Sequence, residues 1–131
     1  MKRNLAIEIA EGFEALAERR AGIFTVRGKR VILDSALAKL YGVPTKRLNE
    51  QVRRNPARFP PDFAFLLSSN EWEVLKSQVA SSTGGRPPYR KYLPYVFTEC
   101  GALMAAGLVN SPRAIEASIY IARASAIWSD G

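Results

Sequence analysis

Histidine is absent from this 131-residue chain, and cysteine occurs once, at Cys100. No Cys/His zinc site and no internal disulfide can be built from that set. No metal or other cofactor is expected. The same absences weigh against catalysis, because no imidazole exists to activate a serine or Cys100. A lone cysteine ordinarily serves as buried packing. The acids have local explanations: Asp34 as a helix cap, Glu50 between Lys46 and Arg54, Glu71 in a capping box, Asp62 in a turn. No D-x-D or E-x-K cluster of the nuclease kind occurs. Long apolar runs are missing too, and nothing approaches the ~20 residues that cross a bilayer. Glu8, Glu11 and Glu14 interrupt any signal-like stretch near the N-terminus. A soluble, cytoplasmic, non-enzymatic chain without membrane contact is expected.

What is present is a core's worth of apolar residues and a misplaced charge. Apolar residues make up 47% of the chain, enough for one domain spanning residues 1–131. The net charge is +7. Residues 1–22 hold four basic and four acidic side chains, and residues 59–131 hold six of each. The whole excess therefore lies in residues 23–58, with nine basic residues against Asp34 and Glu50. Charge concentrated in this way is the footprint of a polyanion-binding surface.

Periodicity orders the chain. Leu5, Ile9, Phe13 and Leu16 form one stripe at helical spacing, predicting an N-terminal helix within residues 1–20. Residues 23–33 place β-branched and aromatic residues on either side of Gly28 and predict a β-hairpin. Asp34 is expected to cap a helix over 35–41, which Gly42 closes. Val43-Pro44-Thr45 reads as a turn, with Thr45 capping a second helix that ends at Asn55-Pro56. A short strand over 63–67 follows, then a capping box, Ser68 with Glu71, ahead of a helix. Residues 81–91 read as a loop containing Arg86, Tyr89, Arg90 and Lys91. Residues 92–97 read as a strand that Pro94 assigns to an edge. Thr98 caps a helix to about residue 106. Ser111 and Pro112 open a last helix over 112–128. The fold class expected is α+β: a β-hairpin, a helix-turn-helix, short further strands and a long apolar C-terminal helix.

The helix-turn-helix occupies residues 34–55. A steep packing of two helices needs a small residue, then a glycine, then an apolar inner residue, and Ala38, Gly42 and Leu48 stand at that spacing. Val52 continues the inner face one turn later. The opposite face carries Lys46, Arg47, Glu50, Arg53 and Arg54, with Asn49 at the flank. Arg and Lys can reach guanine or phosphate, Asn can pair with adenine, and Glu can accept from cytosine. The helix start at Thr45 can hold a phosphate through its free N–H groups. Arg27, Lys29 and Arg30 at the hairpin tip read either as turn solubilisers or as a wing reaching the DNA backbone. The last helix carries a stripe of Ile115, Ile119, Ala122 and Ala126, with Tyr120, Ile121, Ala124, Ile127 and Trp128 over much of the remaining circumference. A helix apolar on most sides is expected to be buried on most sides. It reads either as the central helix of the domain or as one with a homodimer flank.

Three blocks carry a resemblance: VRGKRVILDSALAKLYGVPTKRLNEQVRRNPARFPPDFAFLL, YLPYVFTECG and NSPRAIEASI. In wording and order they resemble the Orf-six N-terminal domain of the KilA-N group, over roughly residues 23–123. The resemblance implies a DNA-binding domain of a phage-type regulator or antirepressor, with function carried by residues 27–54. Where the family pattern has Glu-Gln-Gly, this chain has Glu99-Cys100-Gly101. The partner expected is double-stranded DNA. The alternative is a module that binds a repressor or another protein partner without touching DNA. Single-stranded binding fits less well, because it uses exposed aromatics as platforms. The basic segment offers only Phe24 and Tyr41, both expected in the core.

Overall fold

The computed structural model describes residues 4–19, 22–82 and 91–123. The N-terminal stripe forms α1 (Leu5–Arg19), with Ile9 and Phe13 fully buried. The hairpin is β1 (Ile23–Val26) and β2 (Lys29–Leu33), paired antiparallel from Ile23↔Ile32 to Val26↔Lys29. Its two-residue turn holds Arg27 and Gly28 at φ 53 and 74, the primed geometry that suits the strand twist. Two helices follow, α2 (Asp34–Tyr41) and α3 (Thr45–Arg54), and a 3-10 turn at Pro56–Arg58. Then come β3 (Ala64–Leu66), α4 (Ser69–Ser82), β4 (Tyr95–Phe97), α5 (Glu99–Val109) and α6 (Pro112–Arg123). The architecture is α+β, with one antiparallel sheet in the order β1-β2-β4-β3.

Both faces of the sheet are covered, which explains the nearly unbroken apolar run Val31-Ile32-Leu33. Successive residues point to opposite sides. Ile23, Ile32, Phe97 and Ala64 join a core shared with α1, α2, α3, α5 and α6. Phe24, Val26, Val31, Leu33 and Val96 join a second core with Leu67 and with Trp72, Leu75 and Val79 of α4. Phe24 and Tyr41 are both buried, as expected. The Tyr41 hydroxyl donates to the Ala102 carbonyl at 2.6 Å, and burial pushes its pKa far up.

Several local expectations hold in detail. Gly42 takes a left-handed φ of 69 at the end of α2, and its N–H reaches the last-turn carbonyls. Thr98 caps α5 by accepting from the Gly101 N–H, and Ser111 accepts from the Ala114 N–H at the start of α6. Ser68 and Glu71 form the reciprocal capping box at 2.8 and 3.1 Å. Others are corrected. The cap positions of α2 and α3 are Leu33 and Pro44, and neither helix start has a side-chain cap. Asp34 and Thr45 are instead the first helical residues. β4 lies inside the sheet, not at its edge. Pro94 stands just before the strand, where it needs no N–H, and its carbonyl accepts from Leu67. Cys100 is exposed, because it sits in the first turn of α5 on the side away from the core.

The last helix departs most from expectation. Ala114, Ala117 and Ile121 face inward, while Ile115 and Ile119 are 50% and 40% exposed and Ala122 is exposed. The helix lies at the surface against α1, α2 and α5, so it buries a single face. Tyr120 stacks on Phe13 of α1. The proposed extension of this helix past residue 123, and residues 83–90 of the loop, lie outside the described residues.

Candidate nucleic-acid interface

The helix pair at residues 34–55 is built as its spacing requires. Ala38 and Leu48 are 1% and 0% exposed, so the small residue of α2 and the apolar residue of α3 meet in the interior. Leu37, Leu40 and Val52 are buried with them. α3 in turn packs against α5, where the small residues Ala102, Ala105 and Ala106 permit a close approach. Arg47 reinforces that contact by donating to the Val109 carbonyl at 2.9 Å.

Beneath the helix pair lies a polar joint the sequence did not announce. Asp34 is 1% exposed. Its carboxylate accepts from the Ser35 N–H at 2.7 Å, the Asn49 amide at 2.9 Å and the Tyr95 N–H at 3.3 Å. One side chain thus ties α2, α3 and β4 together, and the three donors offset the cost of burying it. Asn49 was expected to offer its amide to a base. Its Nδ2 is taken by Asp34 and its Oδ1 is buried, so it positions α3 rather than presenting a free edge.

The outer face of α3 is what remains. Lys46, Arg47, Arg53 and Arg54 are exposed, and Thr45 and Glu50 are half-buried. Glu50 reaches only one of the four cations, Arg54, at 4.0 Å. Lys46 and Arg53 have no ion pair or side-chain hydrogen bond among the described residues. They stand seven residues apart on one face, two turns of helix. The N–H groups of Thr45 and Lys46 open the helix and have no preceding turn to bond to.

The hairpin tip is arranged differently. Arg27 is clamped: Nε and Nη2 donate to the Glu71 carboxylate, each at 2.9 Å, and its guanidinium lies 4.3 Å from the Phe65 ring centre. Its hydrogen bonds, with that of the Ser68 N–H, pull the Glu71 pKa down to about 2. Lys29 and Arg30 line a recess with Asp62, Thr98, Glu99 and Cys100 at the start of α5. Two acids balance two bases there. Arg47 of α3 touches the other end of α5, and its 11 residues amount to about 16 Å of helix. The tip and the start of α3 are thus separate places on the surface, although they are near neighbours in sequence. Arg58 forms a third place, at the rim of an apolar groove of about 610 Å³ lined by Phe63, Leu103, Met104 and Leu108.

The domain model that matches the sequence covers residues 21–108, from just after α1 to the last turn of α5. The chain belongs to the ORF6N domain family. The matched region holds the hairpin, the helix pair, the sheet and α5, and it excludes α6. Family membership indicates a phage-type regulatory domain. No curated protein and no solved structure matches the chain. Among the described residues no group of three or more His, Cys, Asp or Glu could hold a metal, and no helix is long and apolar enough to cross a membrane.

Proposed function

We propose that this ORF6N domain binds duplex DNA through α3, as the DNA-binding part of a phage-type transcriptional regulator or antirepressor, and that it catalyses no reaction. The observation that carries the reading is the row of Lys46 and Arg53 on α3. Both are exposed and have no ion pair or side-chain hydrogen bond among the described residues, on a helix anchored by Leu48, Val52 and the Asp34–Asn49 bond. A helix of this length fits a major groove about 12 Å wide. Lys46, Arg53 and Arg54 would contact phosphates or guanine edges, and the N–H groups of Thr45 and Lys46 would take a phosphate. Glu50, which lies between them in the helix and 4.0 Å from Arg54, would accept from a cytosine amino group. Lys29 and Arg30, balanced by Asp62 and Glu99, contribute less.

The test is titration against random duplex DNA of ~30 base pairs at several salt concentrations. Binding that falls steeply with salt is expected, because phosphate contacts release counterions. Lys46→Ala and Arg53→Ala should each weaken binding and lower the salt slope by about 1. No binding at low salt would overturn the reading. The groove beside Arg58 would then favour the second one, a module that takes an apolar segment of a protein partner.

A further inference from the structure

Among the described residues, α6 carries an apolar stripe that no other element covers. Ile115 is 50% exposed, Ile119 is 40% exposed, and Ala122 is exposed on the next turn. The spacing of four and then three residues is the seam of a two-helix packing, not a scatter of single apolar residues. The flanks of the seam are unlike. On one flank Glu116 follows Ile115, and Arg123 follows Ala122, seven residues on. Neither has an ion pair among the described residues, although Arg113 of the same helix reaches Glu8 at 3.6 Å. On the other flank lies Ser118, whose hydroxyl is already satisfied by the Ile115 carbonyl at 2.7 Å.

We propose that this face of α6 binds a second copy of the chain, with the two helices antiparallel about a two-fold axis near Ile119. The charges select both partner and direction. In an antiparallel pair, like flanks meet, so Glu116 of each copy faces Arg123 of the other and the pair forms twice by symmetry. In a parallel pair, each flank meets the opposite one, and Arg123 would find only serine. The self-complementary pattern of an acid and a base seven residues apart fits a second copy of the same helix, with no other protein required. The seam is built from residues on the side of α6 away from α1, so docking needs no rearrangement of the core. This inference does not rest on DNA binding. If DNA is bound, the same axis would present two α3 helices to a palindromic site.

Sedimentation equilibrium of the full chain without DNA tests it. Loading at about 100 μM stays above the micromolar dissociation constant reasonable for a small isologous interface. The expected mass is twice 14.5 kDa. Ile119→Arg should give a monomer that still unfolds in one cooperative transition, because the side chain lies outside the core, and its melting temperature should no longer rise with concentration as the wild type's does. Glu116→Arg should raise the dissociation constant about tenfold by replacing two attractions with two repulsions. Combining it with Arg123→Glu should restore the wild-type value. A monomeric wild type, or a dimer indifferent to Ile119→Arg, overturns the interface. Failure of the double exchange to restore pairing overturns the antiparallel arrangement. Lys46→Ala should remain dimeric, which separates this result from a failure of DNA binding.

Discussion

Asp34 and Gly101 are single residues on which the placement of whole elements depends. The Asp34 carboxylate accepts three hydrogen bonds from three elements while almost fully buried. Asp34→Ala would strand the Asn49 amide and the Tyr95 N–H, and a loss of about 2–3 kcal/mol is expected from denaturant unfolding. The α3 face should move with it, so if α3 binds DNA as proposed, the affinity would fall even in the folded fraction. Gly101 lies in the first turn of α5, where a Cβ would overlap the Phe63 carbonyl oxygen. Backbone cannot yield there as a flexible side chain would. Gly101→Ala should therefore cost several kcal/mol, roughly the upper range for a point change, read as a lowered urea midpoint. The sequence offered Asp34 as a helix cap and Gly101 only as part of a resemblance. A carboxylate just before a helix has a ready local explanation, and that explanation hides the long-range one.

Among the elements, the hairpin tip and the start of α4 form one unit. Glu71 serves the capping box and the Arg27 clamp together. Its folded pKa, about 2, lies below its ordinary value of 4.5. The sign follows: the stabilisation is complete above about pH 4.5 and is lost as pH falls toward 2. Thermal melts of Glu71→Gln should lie below wild type at neutral pH and converge with it near pH 2. A constant gap would count against the clamp. The helix pair gives the contrasting case. Leu48 is fully buried between α2, α3 and α5, and Leu48→Ala should cost about 2–5 kcal/mol in equilibrium unfolding. Lys46→Ala, on the other side of the same helix, should leave stability unchanged within about 0.5 kcal/mol. The helix thus divides into a face that holds the fold and a face free for a ligand.

Over the whole molecule, the sheet is a partition between two cores, and the basic segment supplies its β1–β2 hairpin and the helix pair α2 and α3. Residues 23–58 carry the entire net charge of +7. Folding divides that segment into an open α3 face, a tip where Glu71 takes Arg27 and where Lys29 and Arg30 share a recess with Asp62 and Glu99, Lys39 exposed on α2, and Arg58 beside a groove. The polyanion signal in the sequence is therefore an upper bound on what one duplex would meet. If α3 alone docks, the salt slope should correspond to about three or four phosphates, far fewer than nine basic residues would give. A slope near that of all nine would show the tip and Arg58 engaged as well.

Local rules determined much of this protein from the sequence alone. The hairpin, the Gly42 stop, the Ser68–Glu71 box, the caps at Thr98 and Ser111 and the inward set Ala38, Leu48 and Val52 all follow from spacing and turn chemistry among near neighbours. Family membership was legible for the same reason, since its blocks are contiguous. Tertiary structure alone decided how distant neighbours meet. Asn49 turned inward because Asp34 was buried beneath it, and Arg27 was taken by Glu71, 44 residues away. The interior place of β4 was fixed by pairing with β2 and β3, not by Pro94. On α6 the sequence showed apolar residues on most sides. Which stripe stayed open was settled only when α1, α2 and α5 covered Ala114, Ala117 and Ile121, because a pattern fixes the period of a helix but not the direction from which its neighbours arrive.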